Sequence, residues 1–148
     1  MNRIDSTFQK LKAANKKAFI AFITAGFPDL PTTEKLILEL ASSGVDIIEL
    51  GIPFSDPVAD GAVIQEASQW ALARNNITLR DVLSLVKKVR AKTEIPICFM
   101  TYYNPVFVFG EEEFLKQARV CGVDGMIIPD LPPEEGARFS GMAKKAGI

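Results

Sequence analysis

Histidine is absent from this sequence. That excludes Ser-His-Asp and Cys-His nucleophile systems and the commonest zinc ligand, so any acid-base chemistry must come from carboxylates, lysine, tyrosine or cysteine. Cysteine is nearly absent too. Cys98 and Cys121 show neither metal nor redox spacing, and two thiols make no disulfide framework for a 148-residue chain, so both read as small apolar packing groups. Neither sign of charge is in excess: seventeen basic against eighteen acidic side chains leave a net charge of −1, which provides no bulk field to gather nucleic acid or an anionic membrane. A local basic pocket is still compatible with that balance. Long apolar runs are missing as well, for Ala18 to Ala25 and Ile95 to Met100 fall far short of the ~20 residues that cross a bilayer. The first seventeen residues are mixed and polar without the apolar core of a signal peptide, which makes the cytoplasm the default location.

What is present is the composition of an ordinary globular chain, 48 % hydrophobic and 24 % charged, expected to form a single domain over residues 1–148. Ile4, Phe8 and Leu11 at helical spacing predict a short helix, and the run Ala18 to Thr24 predicts a buried strand. Gly26, Pro28 and Asp29 mark a loop. Thr33, Leu36, Ile37, Leu40 and Ala41 then supply a helix face ending near Gly44. A second strand is expected from Val45 to Leu50, followed by a long loop to Gly61 and a helix over roughly Ala62 to Arg74. A further helix is capped by Thr78, with Asp81 three residues later. The third strand, Ile95 to Met100, leads through an aromatic-rich loop to a helix from about Glu111 to Cys121. A fourth strand, Asp124 to Ile128, leads to a helix opened by Pro132 and Pro133 and stopped at Gly147.

Strands that stay apolar throughout, alternating with amphipathic helices, imply an α/β fold with a parallel sheet covered by helices. A weak internal echo, Gly44-Val45-Asp46 and Gly122-Val123-Asp124, precedes the second and fourth strands. It is compatible with two similar halves and equally with a generic helix-to-strand turn.

Glu49 breaks the apolar pattern of its strand. A buried lone carboxylate needs a partner or a raised pKa, so Glu49 is a catalytic candidate, with a solvated strand end or an ion-pair partner of Lys or Arg as the structural alternatives. The loop that follows, Gly51 to Gly61, is stiffened by two prolines, bounded by glycines and too long for a simple connector. In a β/α barrel the catalytic face lies at the carboxyl ends of the strands, so this loop can return Asp60 to the mouth near Glu49. Asp56 or Asp60 capping the next helix is the competing reading.

The stretch Ile48-Glu49-Leu50-Gly51-Ile52-Pro53-Phe54-Ser55-Asp56-Pro57-Val58-Ala59-Asp60-Gly61 resembles the signature of the tryptophan synthase alpha chain family. Phe22 to Pro28, Met100 to Pro105 and Ile127 to Pro132 are similar to other segments of that family, and the resemblance covers the whole chain, as an amino-terminal portion. It implies a TIM (β/α)8 barrel of which about the first four units are present. The activity it implies is retro-aldol cleavage of indole-3-glycerol phosphate to indole and glyceraldehyde 3-phosphate, a step of tryptophan biosynthesis that needs no metal or organic cofactor.

By the same resemblance Glu49 performs the proton transfers and Asp60 faces the ring nitrogen. Phe22, Met100 and Ile127 line the indole pocket, while Tyr102 and Pro129 sit at neighbouring strand ends. Core packing is the alternative for these apolar residues. The family docks on a tryptophan synthase beta chain, which holds pyridoxal phosphate, in an α2β2 complex. The candidate contacts here are Pro53, Phe54, Asp56, Asn104, Phe107 and Pro132.

A barrel of eight units takes about 250 residues and usually holds phosphate after its seventh and eighth strands. Four units alone are therefore expected to be inactive and to expose two unpaired strand edges, which invite pairing with another copy. Two rival readings are a phosphate-binding β/α-barrel isomerase with Glu49 as base, which gives Asp60 no task, and a nonenzymatic docking module that uses the same loops.

Overall fold

In the computed structural model, which describes residues 2–148, four parallel strands lie side by side in chain order. They are β1 (Ile20–Thr24), β2 (Ile47–Gly51), β3 (Ile97–Met100) and β4 (Gly125–Ile127). Helix α1 (Arg3–Ala13) precedes β1, and α2 (Leu30–Ser42) joins β1 to β2. Helices α3 (Ala62–Asn75) and α4 (Leu79–Arg90) join β2 to β3, α5 (Tyr103–Phe109) and α6 (Glu111–Cys121) join β3 to β4, and α7 (Pro133–Ala146) follows β4. Parallel strands in sequence order with helical crossovers are β/α units of a TIM barrel, and β1 and β4 form the two sheet edges. Among the described residues no helix is long and apolar enough to cross a membrane.

Three expectations are corrected. The aromatic-rich stretch after β3 is helix α5 and not a loop. Its Tyr, Val and Phe residues are poor helix formers, which hides the helix from a propensity reading, yet Val106 is fully buried and anchors it. Helix α2 begins earlier than its apolar face suggests, because the Asp29 carboxylate accepts the Thr32 N–H at 2.7 Å and caps it. The strands begin one or two residues later than the apolar runs do. At β3 the reason is chemical: Pro96 has no N–H to give the ladder, and only its carbonyl takes part, accepting from Ile48 at 2.9 Å. The capping box at Thr78 and Asp81 forms as predicted.

The Gly-Val-Asp echo has a common geometry. Gly44 and Gly122 both have φ of +92°, the left-handed conformation that ends a helix. The following valine N–H groups donate back to Leu40 O and Ala118 O, at 3.1 and 2.9 Å. Each aspartate then clamps the start of the preceding strand: Asp46 accepts the Phe19 N–H at 2.8 Å and Asp124 the Ile97 N–H at 3.0 Å. Asp124 does more than Asp46. It is 1 % exposed and also takes Arg3 at 3.0 Å and Arg90 at 3.1 Å, tying α1 and α4 to the foot of the sheet.

Strand alternation gives the sheet two unlike faces. Ile48, Leu50, Ile97 and Phe99 are fully buried with Ile37 of α2, Val82, Val86 and Val89 of α4, and Phe114 and Ala118 of α6. The opposite face carries two registered rows: Phe22, Glu49, Cys98 and Gly125, and above them Thr24, Gly51, Met100 and Ile127. Helix α1 closes the lower end of this second face. Ile4 sits against Gly125 so closely that a Cβ there would lie 2.9 Å from its Cδ1.

Candidate active site

Glu49 stands in the middle strand positions of the open face, flanked in register by Phe22 on β1 and Cys98 on β3. It is half-buried, and among the described residues no Lys or Arg forms an ion pair with it: the cations pair with Glu34, Glu94, Glu111 and Asp124. The described residues thus give Glu49 no cation partner. Its neighbour Cys98 has a thiol pushed up to about 12, first by burial and then by the charges of Glu49 and Asp124. A protonated thiol beside the carboxylate adds no competing base.

Gly51 shapes the space above. A Cβ at this position would lie 2.6 Å from Cζ of Phe22, so the missing side chain is what lets the Phe22 ring lie across the end of β2. With Met100 and Ile127 next in the same row, the ring forms an apolar shelf beside the carboxylate. Phe22 and Met100 are half-buried and Ile127 is 45 % exposed. Pro129 is exposed just beyond β4.

The loop between β2 and α3 leaves the sheet at Ile52, whose N–H donates to Met100 O at 2.8 Å. It comes back against Tyr102, the first residue before α5, which accepts the Ala59 N–H at its hydroxyl at 3.0 Å. That bond holds the residue before Asp60 against Tyr102, just beyond the end of β3. The capping alternative is overturned, because the N-cap of α3 is Gly61 and no side chain caps that helix. Tyr102 is 2 % exposed and its ring packs on Phe54 at 5.2 Å between centroids. Burial raises its hydroxyl pKa, the Ala59 N–H draws it back, and the charge of Asp60 raises it.

Pro53 is buried under this loop and Phe54 is half-buried on Tyr102, whereas Asp56, Asn104, Phe107 and Pro132 are exposed around the same rim. The rim is braced at its other side. The Tyr103 N–H donates to Asp130 at 2.8 Å, the Tyr103 hydroxyl bonds Glu111 at 2.6 Å, and Arg138 pairs with Glu111. Two neighbours of the candidate carboxylates escaped the sequence reading. Cys98 joins Glu49 only through strand register, and Gln65 reaches Asp60 only through the turn into α3, donating to its carbonyl at 2.9 Å. Gly51, expected to open the loop after a strand ending at Leu50, is the last residue of β2, and its role in seating Phe22 needed the fold.

Four β/α units with parallel strands in chain order define part of a TIM barrel. The model of the tryptophan synthase alpha chain family matches residues 8–148. The chain belongs to that family. It is 54 % identical to the tryptophan synthase alpha chain of Geotalea daltonii, with all of this chain and 56 % of the relative covered. The crystal structure of tryptophan synthase subunit alpha from Legionella pneumophila str. Paris superposes with a TM-score of 0.97 at 47 % identity, over 100 % of this chain and 56 % of that one. A structure described as the basis of mutual activation of the tryptophan synthase α2β2 complex from Pyrococcus furiosus gives 0.84 at 43 %, over 88 % and 52 %. The chain thus spans about half the length of the curated relatives it matches.

Proposed function

We propose that this chain supplies the catalytic carboxylates of an indole-3-glycerol phosphate lyase. The observation that carries the reading is the unpaired Glu49 beside the Phe22 shelf, with Asp60 brought to the same mouth by Tyr102. The cleavage needs a proton placed on the indole carbon that leaves, a proton removed from the side-chain hydroxyl, and a stabilised positive charge at the ring nitrogen. Glu49 gives the first proton and takes the second as the carbon–carbon bond breaks, so it ends as it began. Asp60 faces the ring nitrogen. Both steps are proton transfers, and two carboxylates suffice for them without a metal or organic cofactor.

The exposed rim residues Asp56, Asn104, Phe107 and Pro132, with Phe54 and the buried Pro53 supporting them, are proposed to meet a tryptophan synthase beta chain. The relative from Pyrococcus furiosus, described as part of an α2β2 complex, supports that partnership. Indole released at the mouth would then be taken up by the beta chain, the subunit expected to hold pyridoxal phosphate. The test is release of indole from indole-3-glycerol phosphate by a full-length chain carrying this sequence. Interconversion of a sugar phosphate without indole release would instead support an isomerase, and docking on a beta chain without either activity a nonenzymatic module.

A further inference from the structure

Asp60 lies in a ten-residue excursion of the chain, and a carboxylate that must face one ring nitrogen needs a fixed place. Among the described residues, two side chains from outside the segment 53–60 hydrogen-bond to it. Tyr102 accepts the Ala59 N–H at 3.0 Å and Gln65 of α3 donates to the Asp60 carbonyl at 2.9 Å. The two bonds bracket Asp60 along the chain, one on the Val58–Ala59 peptide and one on the Asp60–Gly61 peptide. Tyr102 is itself buried, 2 % exposed with its ring on Phe54, and so links the end of β3 to the loop. Its hydroxyl oxygen is engaged as an acceptor by Ala59, and the nearby Asp60 charge is among the causes that raise its pKa.

We infer that Tyr102 and Gln65 are positioning residues that bracket Asp60, with the Tyr102 hydroxyl, and not only its ring, setting the carboxylate in place for the reaction. The inference rests on the lyase reading above and deepens it. Tyr102 then has two separable parts. The ring forms wall and packs on Phe54; the oxygen holds Ala59 and orients Asp60. Removal of the oxygen alone should leave ground-state binding of the substrate nearly unchanged while misplacing a group needed in the transition state.

The test uses a full-length chain carrying this sequence, with Tyr102→Phe, Gln65→Met, Asp60→Asn and the Tyr102→Phe/Asp60→Asn pair. Tyr102→Phe is expected to lower kcat by about tenfold or more with KM changed less than about threefold, the pattern of a lost transition-state interaction. Gln65→Met should act in the same direction. Added to Asp60→Asn, Tyr102→Phe should cost little more, because coupled residues are not additive. Hydrogen exchange at the Ala59 amide should accelerate about tenfold in Tyr102→Phe, whether or not the parent is active. Parental kcat and unchanged Ala59 exchange in Tyr102→Phe would overturn the bracket, as would a full additive loss in the double variant. Should Tyr102→Phe fail to fold, parental kcat in Gln65→Met would overturn it instead. A parent that releases no indole but loses Ala59 protection in Tyr102→Phe would sink the lyase reading and leave the bracket standing.

Discussion

The two faces of one four-stranded sheet solve different problems. On the helix-covered face Ile48, Leu50, Ile97 and Phe99 are fully excluded from solvent and interlock with α2, α4 and α6. On the other, Phe22, Glu49, Cys98 and Met100 remain half-exposed, one residue away along the same strands. Backbone register is thus set by the dry face and made available on the wet one. A carboxylate in the dry face would cost several kcal/mol unless paired. On the other face Glu49 has no cation partner among the described residues.

This contrast can be broken from the dry side first, where the largest effect is expected. Phe99→Ala should destabilise the protein by ~3–5 kcal/mol, through lost burial and the cavity left among tightly packed neighbours. Urea unfolding of the full-length parent and variant measures it, and a loss under about 1 kcal/mol would mean that this face is not the rigid frame described. Next comes the wet side. Glu49→Gln keeps the shape of the side chain but cannot cycle protons, so indole formation should fall by about 10²-fold or more. Stability should stay within about 0.5 kcal/mol of the parent. A catalytic loss below about tenfold would remove Glu49 from its assigned role.

Cys98 sharpens the same comparison on a smaller scale. Its thiol titrates at about 12, so at pH 8 very little thiolate exists and iodoacetamide should label it far more slowly than an exposed cysteine. The Glu49 charge contributes to that rise, after burial. Glu49→Gln removes the charge, lowers the pKa and increases the thiolate fraction at a given pH, so labelling should speed up by a few fold. Equal labelling rates would show that Glu49 and Cys98 do not sense one another across the register.

Much of this was legible in the sequence because periodicity and hydrophobicity report on burial. The strand and helix order, the Thr78 cap and the anomaly at Glu49 follow from local pattern. Helix α5 did not, since Tyr103 to Phe109 offers no propensity for helix and is held by what it packs against, Val106 inside and Tyr103 on Glu111 and Asp130. The site was half-legible. Glu49 and Asp60 are odd where they stand, but which groups flank them depends on strand register and on a loop returning across 43 residues to Tyr102, and neither is written in any local window.

The smallest stability effect is expected at the rim, where both faces of the sheet give way to loops. Asp56 and Asn104 are exposed; among the described residues Asp56 bonds only its neighbour Ser55, and Asn104 lies in the first turn of α5. Replacing both with alanine makes no core cavity and strips no buried partner, so unfolding should shift by less than about 0.5 kcal/mol. If these residues meet a beta chain, the same pair of changes should weaken that association by about five- to tenfold, roughly 1 kcal/mol, the scale of polar contacts outside a hot spot. Calorimetric titration of a beta chain with parent and variant separates the two effects. Equal affinities would take Asp56 and Asn104 out of the interface and move the docking surface toward Phe107 and Pro132. A large loss of stability would show instead that the loop ends belong to the rigid frame, and the distinction between a face that holds the fold and a rim that serves the partner would fail at its outermost point.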